Sequence, residues 1–335
     1  MFRCLRVIGV GLCALACAAV CRAEESSESL QRQFEAEYPA ALQALMDYYG
    51  HLVMEVRHEW TRAKGYPQLP PARFFELASR GQSVRVIRYP ANSSLRIKDP
   101  AAWVGVAHPR LSFSLSPAKG AAGFSVNGID SYEGRLASMR LDAWPLFGAY
   151  AVYEMLVQDF TREPGFQWTR FEALGGEEDL VRAAFVRPDP EMPAADMAGW
   201  FLFTRSGSWA LRGWLLDHAR NPGQGYRQAE ITYRPERSPQ GIPVLSKVVY
   251  RARNSTDEGD QPALEEVWTV TRIEPADIPE SAFTLPAFGL PDVAPEIDPR
   301  RRLRWIFLAG LAAMAAGAIL AWARHRRARQ TPRAA

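Results

Sequence analysis

The hydrophobic positions of this chain fall into three patterns, and each predicts a different kind of element. Between Ser29 and Tyr49 the apolar residues Leu30, Phe34, Ala41, Leu42, Leu45, Met46 and Tyr49 recur at spacings of three and four. Glu and Gln fill the gaps, so the run reads as one buried face of an α-helix. Pro39 interrupts the pattern, and the regular helix is expected to begin near it, with proline in the first turn. Gly50 is the expected stop.

After Gly50 the period becomes two. Leu52, Met54 and Val56 alternate with Val53, Glu55 and Arg57, and short runs follow at 74–77, 84–88, 103–107, 111–115 and 124–129. Alternation of this kind sends neighbouring side chains to opposite faces of a strand. Arg80-Gly81-Gln82, Lys119-Gly120 and Asn127-Gly128 read as turns between them. A second helical patch spans 145–158, with Leu146, Ala149, Tyr150, Tyr153, Leu156 and Val157 on one side. Strand patterns then resume at 166–174, 180–187, 199–205, 209–216, 226–234, 244–253 and 264–273. Gly175-Gly176 and Ser206-Gly207 suit tight hairpins. A dozen short strands joined by turns predict an antiparallel meander, and two helices are too few to cover both faces of a parallel sheet. The expected fold class is therefore mainly β (α+β). It is a large curved antiparallel sheet or half-barrel covered by two helices, built as one domain over residues 24–290.

The third pattern is continuous. Residues 305–323 run from Trp305 to Ala323 without a charge, between Arg304 and Arg324. As a helix this stretch is about 28 Å long, against about 30 Å for the hydrocarbon core of a bilayer. Trp305 and Trp322 sit at its ends, where indoles favour the headgroup level. A single transmembrane helix is expected, anchored by Arg304, Trp305, Trp322 and Arg324. Residues 291–304 form a Pro- and acid-rich linker with a basic stop, and 324–335 a basic tail. Ala309, Ala313, Gly317 and Ala321 make a small-residue stripe through which two such helices could approach as a homodimer.

Met1 to Ala23 has the layout of a secretory signal: Arg3 and Arg6, an apolar run from Val7 to Val20, then Cys21-Arg22-Ala23. Cleavage after Ala23 is expected. Processing at Cys17, or retention as a first membrane helix, are the alternatives. Arginines flank the carboxyl-terminal helix on both sides, so the signal decides orientation. The expected protein is single-pass in the cell (inner) membrane, with a periplasmic body and a cytoplasmic tail.

Charge changes the picture of partners. All 37 acidic residues lie between Glu24 and Asp298, whereas 12 of the 40 basic ones lie outside that span. The body keeps 28 basic groups against 37 acidic ones, a net of −9, which argues against nucleic acid as a partner. The basic remainder suits lipid phosphates. Cysteine narrows the chemistry further, because Cys4, Cys13, Cys17 and Cys21 are the only ones. A processed chain would hold no disulfide, thiolate metal site or cysteine nucleophile.

Other catalytic signatures fail on inspection. His58-Glu59-Trp60-Thr61-Arg62 begins like a zinc-protease helix and then has arginine where the second histidine is needed. His51 and His58 are seven apart, on opposite faces of a strand, and read as ordinary surface or half-buried imidazoles. Gly123 to Gly128 is one residue too long for a nucleophile elbow. Glu177-Glu178-Asp179 and Asp257-Glu258-Gly259-Asp260 lack the register of a calcium loop and read as solvated turns. No catalytic residue, cofactor site or metal site is expected. Binding is the remaining chemistry. Trp200, Phe201, Leu202 and Phe203 form a run apolar on both strand faces, as does Trp214-Leu215-Leu216. One account is a core on one face with helix packing on the other. The second is a concave sheet whose apolar pocket is lined by Trp200, Phe201, Phe203, Trp209 and Trp214.

The order of exported helix, long antiparallel meander, mid-chain helix and further strands resembles the half-barrel of periplasmic lipoprotein carriers of the LolA/LolB type. The resemblance covers most of residues 28–285. Gly199 to Phe203 followed by Trp209-Ala210-Leu211 is similar to the apolar hairpin and tryptophan-bearing strand of that class. It implies a non-enzymatic carrier of lipid. The carboxyl-terminal helix departs from that pattern, since such carriers are soluble or anchored by lipid at the amino end. Phe283 to Pro291 ahead of a membrane helix resembles exported proteins of planctomycete-type bacteria. The chain is thus expected to be a membrane-anchored, non-enzymatic domain that binds lipid or another apolar ligand. A cell-envelope scaffold that binds another protein is the alternative.

Overall fold

The computed structural model describes residues 26–63, 72–90, 103–119, 123–139, 142–152, 155–175, 179–188, 196–206, 208–218, 225–254 and 262–292. The first element, α1 (Ser27–Tyr49), is capped by Ser26, whose hydroxyl accepts from the Ser29 N–H at 3.2 Å. Leu30, Phe34, Tyr38, Leu42, Leu45 and Tyr49 are its buried stripe. The helix runs through Pro39, where the residue pattern predicted a start. Pro39 lies on the exposed side of α1, where water can take up the carbonyl left without a helical donor.

Among the described residues fifteen strands follow. The first group is β1 (His51–Ala63), β2 (Ala72–Arg80), β3 (Ser83–Tyr89), β4 (Trp103–Ala107), β5 (Ser112–Pro117) and β6 (Phe124–Asp130). A small hairpin of β7 (Ala151–Val152) and β8 (Met155–Leu156) stands apart. The second group is β9 (Gln167–Gly175), β10 (Leu180–Arg187), β11 (Met197–Thr204), β12 (Ala210–His218), β13 (Tyr226–Arg237), β14 (Pro243–Arg253) and β15 (Leu264–Pro275). Thirteen of them form one antiparallel sheet in the order β6-β5-β4-β3-β2-β1-β15-β14-β13-β12-β11-β10-β9. Each group is a meander. The chain leaves β6 at one edge, re-enters at β9 on the other and works back until β15 pairs with β1. The class is mainly β, as the alternating patterns predicted.

The described residues hold four α-helices where the residue pattern predicted two covering ones. The helix expected over 145–158 is broken into α3 (Trp144–Phe147), the β7–β8 hairpin and α4 (Val157–Phe160), and α2 (Tyr132–Met139) precedes it unannounced. Trp144, Leu146, Tyr150, Val152, Val157 and Phe160 are all buried, so the apolar residues of this insertion form a plug packed inward from several short elements rather than one face of a continuous helix. Gly105 on β4 makes room for it. A Cβ there would stand 2.2 Å from the Trp103 ring and 2.9 Å from Met139 Sδ of α2. Asn127-Gly128, read as a turn, lies inside β6 opposite a bulge between Ser114 and Leu115.

Two cores result. The helical face of the sheet packs α1 and the plug against residues of both meanders, from Leu52, Met54 and Phe75 to Phe203, Trp214 and Trp268. The opposite face of β2, β4 and β5 buries Ala78, Val104, Val106, Phe113 and Leu115 under Ile278, Phe283 and Leu285. Those three belong to a strap, in which Ile278 leads into two 3-10 turns, Glu280–Phe283 and Leu285–Phe288. Arg80 and Arg85 tie it down by donating to the Ile278 and Ala282 carbonyls at 3.0 and 3.2 Å. The apolar stretch 305–323 and the leader 1–23 lie outside the described residues. Among the described residues no helix is long and apolar enough to cross a membrane.

Candidate ligand-binding site

Alternation along β11 and β12 decides where the five aromatic candidates go. Phe201 and Phe203 point to the helical face with Trp214, the cross-strand partner of Phe201. Trp209 joins them from the turn between the strands. Its indole N–H donates to Glu37 of α1 at 2.8 Å. These four are buried, and they pack ring against ring. Phe34 of α1 meets Phe203 at 5.0 Å, Trp209 at 5.2 Å and Phe171 at 5.6 Å, while Phe201 stacks on Phe185 at 4.8 Å. Trp144 of the plug closes over Trp214 at 5.9 Å and Trp268 at 5.1 Å. Trp200 is on the opposite face, half-buried, with the Arg182 guanidinium 5.7 Å from its ring. The inside of this part of the sheet is occupied by the protein's own side chains.

An open apolar space lies elsewhere, at the carboxyl end of α1. A cleft of about 220 Å³ is bounded by Met46 and Tyr49 of α1, Leu136 of α2, and Phe147, Tyr150 and Met155 of the plug. Ser79, Gln82 and Asp159 supply its polar atoms. Gly81, at φ +57°, makes the tight β2–β3 turn that forms one rim. The wall behind it is fixed. Tyr49 donates its hydroxyl to the Pro243 carbonyl at 2.8 Å and accepts from the Leu245 N–H at 3.0 Å, and burial drives its ionisation well above the usual range. Tyr150 is likewise held neutral by burial. The cleft therefore offers a largely apolar surface with a few hydrogen-bonding groups and the Asp159 carboxylate at its edge.

A second constellation escaped the residue pattern. His58 continues the Leu52, Met54, Val56 alternation onto the helical face, where it is only 5% exposed. Its ring stacks on Trp268 at 4.3 Å and meets Trp60 at 4.1 Å. Glu266 reaches to 3.6 Å from His58 Nε2 and also accepts from the Trp60 indole at 2.9 Å. The signal that could have found it is the alternation itself, which puts histidine where an aliphatic residue was due. Glu59 falls on the other face of β1, so the zinc-protease likeness fails in three dimensions as well. Among the described residues no group of three or more His, Cys, Asp or Glu is placed to hold a metal ion. Asp179 is engaged by Arg205 in a two-point ion pair at 3.0 Å.

No protein-family profile matches this chain, and no curated protein is similar to it. Among solved structures it is similar to the crystal structure of the Mycobacterium tuberculosis lipoprotein LppX. That likeness covers 72% of this chain and 97% of LppX, at 10% identity and a TM-score of 0.24. Both sequence and superposition are distant at these values, and no residue or activity is carried across.

Proposed function

We propose that this chain is a non-enzymatic domain, exported and tethered to the outer side of a cell membrane by residues 305–323, that binds an apolar group such as a lipid acyl chain. The cleft between α1, α2 and the plug carries this reading. It joins an apolar lining to a polar rim, the usual make-up of a ligand site, at slightly under the usual volume of about 300–1,000 Å³. The aromatic packing fills the helical face beside β11 and β12, and the cleft is an open apolar space at the carboxyl end of α1, which supports reading it as the ligand site. The bilayer is the expected partner of the anchor.

The test is extraction. Residues 24–299, secreted and purified, should yield a lipid to organic solvent and should take up a fluorescent fatty acid. Leu136→Gln and Met155→Gln should weaken uptake about tenfold, the effect of placing an unpaired amide in an apolar site. Clean extracts together with no uptake would overturn the proposal. A second reading, an envelope scaffold, is favoured by one observation: edge strand β6 exposes Val126 and Ile129, 43% and 52% accessible, beside an unpaired strand edge. Stoichiometric cross-linking of an envelope protein through β6 would select it.

A further inference from the structure

The cleft at the carboxyl end of α1 carries charge of one sign. Asp159 of α4 stands at its edge, and among the described lining residues there is no lysine, arginine or histidine. That carboxylate makes no ion pair or side-chain hydrogen bond among the described residues. Arg162, whose backbone N–H donates to the Asp159 carbonyl, does not neutralise it.

The other polar side chains of the lining divide into engaged and idle. Ser79 donates to the Tyr49 carbonyl at 2.6 Å, Tyr49 is bonded to Pro243 and Leu245, and Tyr132 donates to the Gln82 carbonyl at 2.8 Å. The Tyr150 hydroxyl and the Gln82 side-chain amide have no hydrogen-bond partner among the described residues. Tyr150 matters more, because only 5% of it is exposed. Burial raises its ionisation, and no hydrogen bond acts against that shift. A buried hydroxyl without a partner is costly. The space that Tyr150 borders is the cleft, so a molecule entering there is what can satisfy it.

Resting on the reading of this cleft as the ligand site, we infer that it selects an apolar chain with a cationic amine head over one with a carboxylate or phosphate head. An anionic head would meet Asp159 and find no cation to offset it. An ammonium donates up to three hydrogen bonds, and Asp159, the Gln82 side-chain carbonyl and the Tyr150 oxygen are acceptors for them. A hydroxyl head can use the same acceptors without the attraction of charge, and it ranks between the two.

The experiment is calorimetric titration of the full-length chain in a non-ionic detergent, near neutral pH and at low ionic strength, with each probe also titrated into detergent alone. The probes are octylamine, octanol and octanoate, which share a chain and differ in the charge of the head. Octylamine should bind about tenfold tighter than octanoate, with octanol between. One exposed ion pair contributes at most about fivefold, and the gap from amine to carboxylate adds attraction to repulsion. Asp159→Asn should close that gap to about twofold. Glu35→Gln, which removes an exposed carboxylate of α1 outside the cleft, should leave the gap as it was. Tyr150→Phe should weaken all three probes about fivefold, as for one lost hydrogen bond, without lowering the thermal transition. Equal affinities for the three probes, tightest binding of octanoate, an equal change in Asp159→Asn and Glu35→Gln, or a lower transition in Tyr150→Phe would each overturn the inference while leaving the cleft an apolar site. No heat beyond the detergent blank with any probe would overturn the reading of the cleft itself, and the inference with it.

Discussion

The two meanders of this sheet solve the same burial problem differently. In β1 to β6 the sheet is a middle layer, with α1 and the plug on one face and the strap 276–290 on the other. In β9 to β15 the helical face is packed with aromatic rings, while the opposite face is a surface of paired charges such as Arg251 with Glu230 and Glu265. Burial on both faces favours apolar residues at odd and even positions, and β4 accordingly reads Trp-Val-Gly-Val-Ala, whereas β5 keeps small buried serines between Phe113 and Leu115. A one-sided sheet needs them only at alternate positions. The lesson is that stability is concentrated on the helical face and is local on the strap face.

The largest effect is expected at the centre of the shared core. Phe34→Ala removes a ring that touches Tyr38, Trp168, Phe171, Phe203 and Trp209, and should cost about 3–5 kcal/mol by urea denaturation. A loss below about 1 kcal/mol would mean that α1 does not hold the second meander. Leu285→Ala should cost about 2–3 kcal/mol, the low end for a buried leucine. Its mark is local: amide exchange should quicken in β4 and β5 and stay slow in β10 to β12. Equal quickening in both meanders would dissolve the contrast.

Next is Arg251→Ala on the charged surface. Its guanidinium is kept protonated by the hydrogen bond to Glu265, yet exposed pairs contribute little, and a change of about 1 kcal/mol or less is expected. The smallest effect is acidic. His108 sits under the strap, 3.5 Å from Glu280, and burial outweighs that carboxylate to lower its pKa. A lowered histidine pKa favours the folded state above the unfolded value near 6.5, and the gain is lost as pH falls toward the folded value. Melting between pH 7.5 and 5.5 should therefore drop less in His108→Gln than in the parent, and an identical drop would remove His108 from the account.

Much of this architecture was legible in the residues. Every strand of the large sheet overlaps a run read as a strand, and Trp103 to Ala107 matches β4 to the residue. Phe201, Phe203, Trp209 and Trp214 share the helical face, whereas Trp200, grouped with them as a pocket residue, lies on the other. What local pattern cannot carry is the pairing of β1 with β15 and the broken plug. Pairing depends on which edge the chain returns to, and the break in the plug depends on what packs around it, which overrode the helical spacing of its apolar residues. The cleft was invisible for a related reason. Met46, Ser79, Leu136 and Met155 meet only because separate segments converge, and none stands out alone.

The pairing of β1 with β15 also dictates an order of events. Leu52 finds its partner at Pro275 and His58 at Trp268, more than two hundred residues downstream. One side of β1 must wait bare while nearly the whole polypeptide emerges, and such distant pairing is slow to form. Until that last strand arrives, the nascent body is two half-sheets with sticky margins, and its maturation is a race between completion and self-association.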